Sequence, residues 1–190
     1  MEKKTKKIIL GLTGPIAGGK GLVAEVLQKK SFYYTSLSDR IREEVKSRGG
    51  EVTRENLQDV ADELRKKFGS DVLAVRTWET AMGHEGNVVV DSIRSYGEVK
   101  FLKEKEGVIL VGVVAPRKLR FQRIQERTRE GDPLSWEEFV RLDEKDFKSG
   151  KGENGRNIKK CLGSADFLLE NIGTKEELIS KVEGILAKID

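Results

Sequence analysis

The run Gly14-Pro15-Ile16-Ala17-Gly18-Gly19-Lys20 sets two glycines and a lysine at the Gly-x-x-x-x-Gly-Lys spacing, which suits the holding of a phosphate chain. Glycines let a backbone wrap closely round an anion, consecutive N–H groups line the ring, and a helix opening at the lysine adds a favourable dipole. On this reading Gly14, Ala17, Gly18, Gly19, Lys20, Gly21 and Leu22 hold a nucleotide, with Lys20 bridging its β- and γ-phosphate oxygens. One position departs from the Walker A pattern. Gly21 stands where a Ser or Thr would offer a hydroxyl to Mg²⁺, so the metal is expected to rest on the nucleotide, water and a carboxylate.

That carboxylate is expected at Asp91. Val88-Val89-Val90-Asp91 reads as a buried strand ending in an acid, the arrangement of a Walker B aspartate, which would serve either the metal or the proton of an acceptor. The next residues add Arg94, a guanidinium in a loop where it would meet an acceptor phosphate; Arg76 is a weaker candidate for the same task. Arg117, Arg120, Arg123 and Arg127 recur every three or four residues and so share a helix face. Four like charges on one face call for an anion. Phosphoryl transfer supplies one, and Arg120, Arg123 and Arg127 are expected to stabilise the transferred oxygens from a closing lid.

The elements that must position these groups alternate. Strand-length apolar runs fall at 8–12, 32–35, 88–90, 108–115 and 167–169, and they are continuous, as in a parallel sheet buried on both faces. Helical patterns lie between them at about 20–30, 39–47, 53–68, 71–82, 96–105, 118–128 and 135–147. The last, 175–189, begins at the box formed by Thr174 and Glu177. This is an α/β layered domain. Acceptor-binding helices are expected at about 36–83 and a helical lid at about 117–150, with hinges at Gly131-Asp132-Pro133 and in the glycine-rich stretch 149–157.

A chain of 190 residues with 37% hydrophobic and 36% charged residues has room for one such domain and no second catalytic one. Its net charge of +4 is met by a nucleotide as well as by a nucleic acid, and no nucleic acid is expected as partner. A single cysteine, Cys161, excludes an internal disulfide and a zinc cluster and points to a reducing compartment. No run reaches the roughly 20 apolar residues of a membrane span, so no membrane partner and a cytoplasmic setting are expected. His84 and Cys161 read as structural or surface residues. The oligomeric state is not legible.

With these residues in view, the chain resembles the P-loop nucleotide kinase superfamily, in the adenylate-kinase-like group that includes dephospho-coenzyme A kinases and deoxynucleoside monophosphate kinases. Ser38-Asp39-Arg40-Ile41-Arg42 is similar to the Gly-Asp-x-x-Arg segment of nucleoside monophosphate kinases, which implies acceptor-binding roles for Asp39 and Arg42. The ending from Ala165-Asp166 to Asn171-Ile172-Gly173-Thr174 resembles dephospho-coenzyme A kinase-like proteins. The resemblance implies a three-layer P-loop NTPase fold with a five-stranded parallel sheet of order 2-3-1-4-5. It places Asn171 and Gly173 by the adenine of ATP. It implies an ATP- and Mg²⁺-dependent transferase acting on a nucleotide-type acceptor, a nucleoside or deoxynucleoside monophosphate first and dephospho-coenzyme A second. A nucleotide-binding regulatory domain with little kinase activity is the alternative of another class, and the missing hydroxyl at Gly21 is its support.

Overall fold

A computed structural model describes residues 7–127, 132–147 and 155–189 of the chain. Five strands form one parallel sheet in the order β2-β3-β1-β4-β5. They are β1 (Ile9–Thr13), β2 (Tyr33–Ser36), β3 (Val88–Ile93), β4 (Val108–Val114) and β5 (Phe167–Glu170). Side chains of a strand alternate between faces, and the two faces of this sheet are both apolar. Ile9, Val88 and Val90 pack on one side; Leu10, Leu12 and Val89 pack on the other. That double burial is why the runs read as continuous.

The second of these faces is covered by α1 (Lys20–Lys29) and α9 (Lys175–Ile189), through Val23, Leu27, Leu178 and Val182. The first is covered by α2 (Leu37–Ser47), α3 (Arg54–Phe68), α4 (Val72–Met82) and α5 (Tyr96–Lys103). A smaller cluster of Ile16, Ile124 and Phe139 joins the phosphate loop to α6 (Arg117–Arg127) and α7 (Trp136–Phe147). The three layers and the strand order agree with the expected fold.

Four local features differ from expectation. A short helix α8 (Ile158–Gly163) precedes β5, capped by the Asn157 carboxamide oxygen, which accepts from Lys160 N at 3.0 Å. Its six residues bury only Ile158 and Cys161, too little periodicity to stand out among lysines. Helix α2 starts at Leu37 rather than near Asp39, because the Ser36 hydroxyl caps it by accepting from Ser38 N at 3.2 Å. Strand β3 runs on to Ile93 and so carries Asp91 within it. At α9, Thr174 Oγ1 accepts from Glu177 N at 3.2 Å. A reciprocal box that no expectation covered is built at α5, where the Ser95 hydroxyl accepts from Glu98 N and the Glu98 carboxylate accepts from Ser95 N. The expected hinges at Gly131 and 149–154 lie outside the described residues.

Candidate active site

β1 ends at Thr13 and α1 begins at Lys20, so the six residues between them form a loop at the carboxyl edge of the sheet, where ligands bind in open α/β folds. The loop needs its glycines. Gly14 sits at φ 136° and Gly19 at φ 116°, both in the region that disfavours a side chain. A Cβ at Gly14 would lie 2.2 Å from the Val113 carbonyl oxygen, and one at Gly19 would lie 2.1 Å from the Asn171 amide nitrogen. Around Gly21, by contrast, a Cβ would meet nothing within 4 Å.

Lys20 is buried, and its Nζ donates to the carbonyls of Gly14 at 2.8 Å and Pro15 at 2.9 Å. Burial pulls its pKa down to about 7; Asp91 opposes that shift and Arg94 adds to it. The lysine rests on the carbonyls of its own loop.

The loop forms one wall of a cleft of about 630 Å³. Asp91 lies at its floor. Its Oδ1 accepts from Ser92 N at 2.5 Å and its Oδ2 from the Tyr34 hydroxyl at 3.2 Å. Burial and the charge of Asp91 push the Tyr34 phenol up to about 12, so it remains a donor to the carboxylate. Ser92 adopts φ 69°, a left-handed conformation uncommon for serine, where the pairing of β3 with β1 shifts register between Gly11 and Thr13.

Arg42 and Arg94 line the same cleft. Arg42 is paired with Asp39 at 2.8 Å, and Arg94 Nη1 donates to Ser38 Oγ at 3.3 Å. Asp39 itself is not a lining residue: it sets the position of Arg42. On the lid side, Arg123 and Arg127 reach the cleft. Arg123 donates to the Asn171 backbone oxygen at 3.0 Å and side-chain oxygen at 3.2 Å; Arg127 makes a fork with Asp132, both contacts at 2.7 Å. Ala17, Gly18, Gly19, Gly21 and Leu22 also line the cleft.

Several expected site residues stand elsewhere. Arg120 is buried away from the cleft, with Nη1 on Asp143 Oδ1 at 2.6 Å, Nη2 on Oδ2 at 2.9 Å and a further bond to the Ile16 carbonyl. It ties α6 to α7 and to the loop after β1. Helical spacing placed it with Arg123, but it lies on the edge of that face that α7 covers. Arg76 lies in a separate surface hollow beside Glu44 and Glu79, 3.7 Å from Glu44, with Phe68 under its guanidinium. Asn171 does not line the cleft; its Nδ2 donates to the Gly18 carbonyl at 3.0 Å while its Oδ1 accepts from Arg123. Both ends of that amide are engaged, so it braces the loop. Gly173 also lies outside the lining, exposed beside the Glu177 carboxylate.

Other residues of the cleft carried no signal as a motif. Tyr34 sits in a strand where an aromatic residue is ordinary, and Arg54 follows the capping Thr53 as any first-turn residue might. Among the described residues no cluster of three His, Cys, Asp or Glu side chains is arranged to hold a metal. The loop fits a triphosphate, since its glycine cradle has no room for side chains and its lysine is within the cavity. Mg²⁺ would fit as an ion carried by phosphates and water with Asp91 among the carboxylates that line the cleft, a common mode for that ion.

The glycine cradle, its lysine and the 2-3-1-4-5 parallel sheet define a P-loop NTPase of the kinase-like superfamily. Residues 10–141 match the family model of an AAA domain. A UPF0200 protein from Thermococcus gammatolerans is 35% identical over 188 residues, covering 96% of this chain and 95% of that protein. The chain belongs to the AAA domain family and to the UPF0200 proteins. Solved structures similar in fold include TT1252 from Thermus thermophilus, with TM-score 0.64, 21% identity and coverage of 98% and 100% of the two chains. Shikimate kinase from Acinetobacter baumannii in complex with shikimate gives 0.59 at 17% identity, covering 96% and 94%. Dephospho-CoA kinase from Campylobacter jejuni gives 0.50 at 16% identity, covering 97% and 98%.

Proposed function

We propose that this protein transfers the γ-phosphoryl group of ATP to a small acceptor that itself carries phosphate, a nucleoside or deoxynucleoside monophosphate in the first place. The observation that carries this reading is that Lys20, Asp91, Arg42 and Arg94 line one cleft. Loop amides and Lys20 hold the donor phosphates; Arg42 and Arg94 hold the acceptor; Arg123 and Arg127 neutralise charge that spreads over the transferred oxygens. In the transfer, an acceptor oxygen bonds to the γ-phosphorus as the bond from that phosphorus to the β–γ bridging oxygen breaks, and the nucleoside diphosphate leaves. Mg²⁺, when bound, would screen the phosphate oxygens. The lid, at about 117–150, would exclude the water that otherwise captures the phosphoryl group. A cytoplasmic setting, where ATP is abundant, goes with this reading.

Asp91 favours a second acceptor chemistry. A phosphate acceptor is already ionised and needs no base, whereas a hydroxyl must lose a proton, and a buried carboxylate within the cleft could take it. Dephospho-coenzyme A is the hydroxyl acceptor suggested by the likeness of the chain's ending. The absent hydroxyl at Gly21 supports the further reading of a nucleotide-binding regulatory domain. The test is ADP formation from ATP with a panel of nucleoside and deoxynucleoside monophosphates, dephospho-coenzyme A, or no acceptor, with Lys20→Ala as control. Turnover that requires one acceptor and is lost in the variant is expected; triphosphate binding without acceptor-dependent turnover would overturn the kinase reading in favour of the regulatory one.

A further inference from the structure

The acceptor wall of the cleft holds a group that no motif marks. Arg54, the first residue of α3, lines the cleft between Val52 and Leu57 with its side chain about 20% exposed. Its one contact to a carboxylate is long: Nη2 lies 3.4 Å from Asp146 Oδ2. Its Nε is buried with no hydrogen-bond partner, and so is the Nε of Arg94, which lies 3.6 Å from the same Asp146 oxygen.

Asp146 is shared unequally. Its Oδ1 is committed to the protein, accepting from Gln58 at 2.9 Å and from Arg156 at 2.9 Å, and Arg156 is held in turn by Asp62 at 2.7 Å. Its Oδ2 is left between two guanidiniums at distances too long for well-formed bonds. Burial alone would raise the Asp146 pKa, but Arg94, Arg54 and Arg156 outweigh it and hold the carboxylate ionised. Burial and the neighbouring Arg94 draw the Arg54 pKa down to about 10, against the pull of Asp146. One carboxylate oxygen thus faces two positive forks in a partly dry site, and both forks keep donors in reserve.

We infer that Arg54 and Arg94, with Arg42 beside them, form the subsite for the phosphomonoester dianion of the acceptor, and that Asp146 Oδ2 is the counter-ion they share in its absence. A guanidinium fork matches phosphate oxygens two at a time. A dianion supplies the charge that one shared carboxylate oxygen lacks, at a cleft that both arginines line. Val52 and Leu57 line the same cleft and offer apolar surface to the body of an acceptor, which free phosphate would not use. Arg54 becomes a specificity residue: it separates a phosphorylated acceptor from the same molecule without phosphate. This rests on the reading that the cleft takes an acceptor opposite the P-loop, and the experiment keeps the two apart.

The full-length protein is titrated by calorimetry with a non-hydrolysable ATP analogue. It is then titrated, with the analogue saturating, with nucleoside and deoxynucleoside 5′-monophosphates, each beside the nucleoside that lacks the phosphate. At least one phosphomonoester is expected to bind about a hundredfold or more tighter than its counterpart. Arg54→Met is expected to weaken that binding about tenfold or more while analogue affinity stays within about twofold. Arg54→Lys, which keeps charge and stem and carries the test should the methionine variant fold poorly, is expected to fall between. Unchanged phosphomonoester affinity in the variants would overturn the inference, as would a panel in which phosphate brings no gain. If the analogue fails to bind but a phosphomonoester binds in an Arg54-dependent way to the protein alone, the inference stands and the kinase reading falls.

Discussion

Binding of a triphosphate should draw a proton onto Lys20. With its pKa near 7 in the ligand-free protein, about one Lys20 in ten is charged at pH 8 and about half at pH 7, since each unit is a tenfold change in the ratio. A triphosphate brings several negative charges to the same place and favours the ammonium form. Uptake of about 0.9 proton per nucleotide is therefore expected at pH 8 and about 0.5 at pH 7, with apparent affinity falling close to tenfold per unit above pH 8. Calorimetry in two buffers of different ionisation enthalpy reads the uptake directly, and at pH 8 the nucleotide's own phosphates are already ionised. Lys20→Arg is the control, because a guanidinium stays charged and has no proton to gain. No uptake at pH 8 in the wild type, or equal uptake in Lys20→Arg, would refute the reasoning. The same shift has a consequence for stability. The unfolded lysine holds its proton up to about 10.5 while the folded one releases it above about 7, so the unfolded state binds more protons in that window and this contribution to stability rises with pH across it.

Other outcomes follow from single contacts. Asp143→Asn leaves the buried Arg120 without a counter-charge and should cost about 3–5 kcal/mol by urea unfolding. Arg141→Ala, which breaks the exposed pair with Glu55, should cost less than about 1 kcal/mol in the same assay. Gly14→Ala forces a Cβ against the Val113 carbonyl at φ 136°; about 1–3 kcal/mol of strain is expected, with triphosphate binding lost in a titration of the folded variant. Asp91→Asn should lower turnover with a hydroxyl acceptor by about 10²- to 10⁴-fold and leave turnover with a phosphate acceptor nearly unchanged, read from initial rates against each.

What the sequence revealed is what depends on neighbours in the chain. The phosphate loop is a contiguous run between a strand and a helix, so its spacing carries its shape. The five apolar runs announce a sheet buried on both faces, and their alternation with helices announces its layering. The acceptor wall is another matter. Arg54, Arg94 and Asp146 come from α3, from just past β3 and from α7, and only the packed fold brings them within reach of one another. Arg120 illustrates the converse: its spacing set it among the lid arginines, yet a rotation of part of a turn gives it to Asp143 instead of the cleft. Asn171 likewise stands where the family resemblance expects a residue near the nucleotide, and its amide is spent on Gly18 and Arg123. Charge pattern says that arginines need anions; it does not say which are already satisfied by the protein.

The most direct test of the central claim is the fate of the γ-phosphorus. ATP carrying a γ-phosphorus label is incubated with the protein and the acceptor that binds best, and the products are separated. The account predicts label on the acceptor, in step with ADP formed and absent in Lys20→Ala. Label found only in ATP, or released only as inorganic phosphate at a rate indifferent to the acceptor, would contradict it.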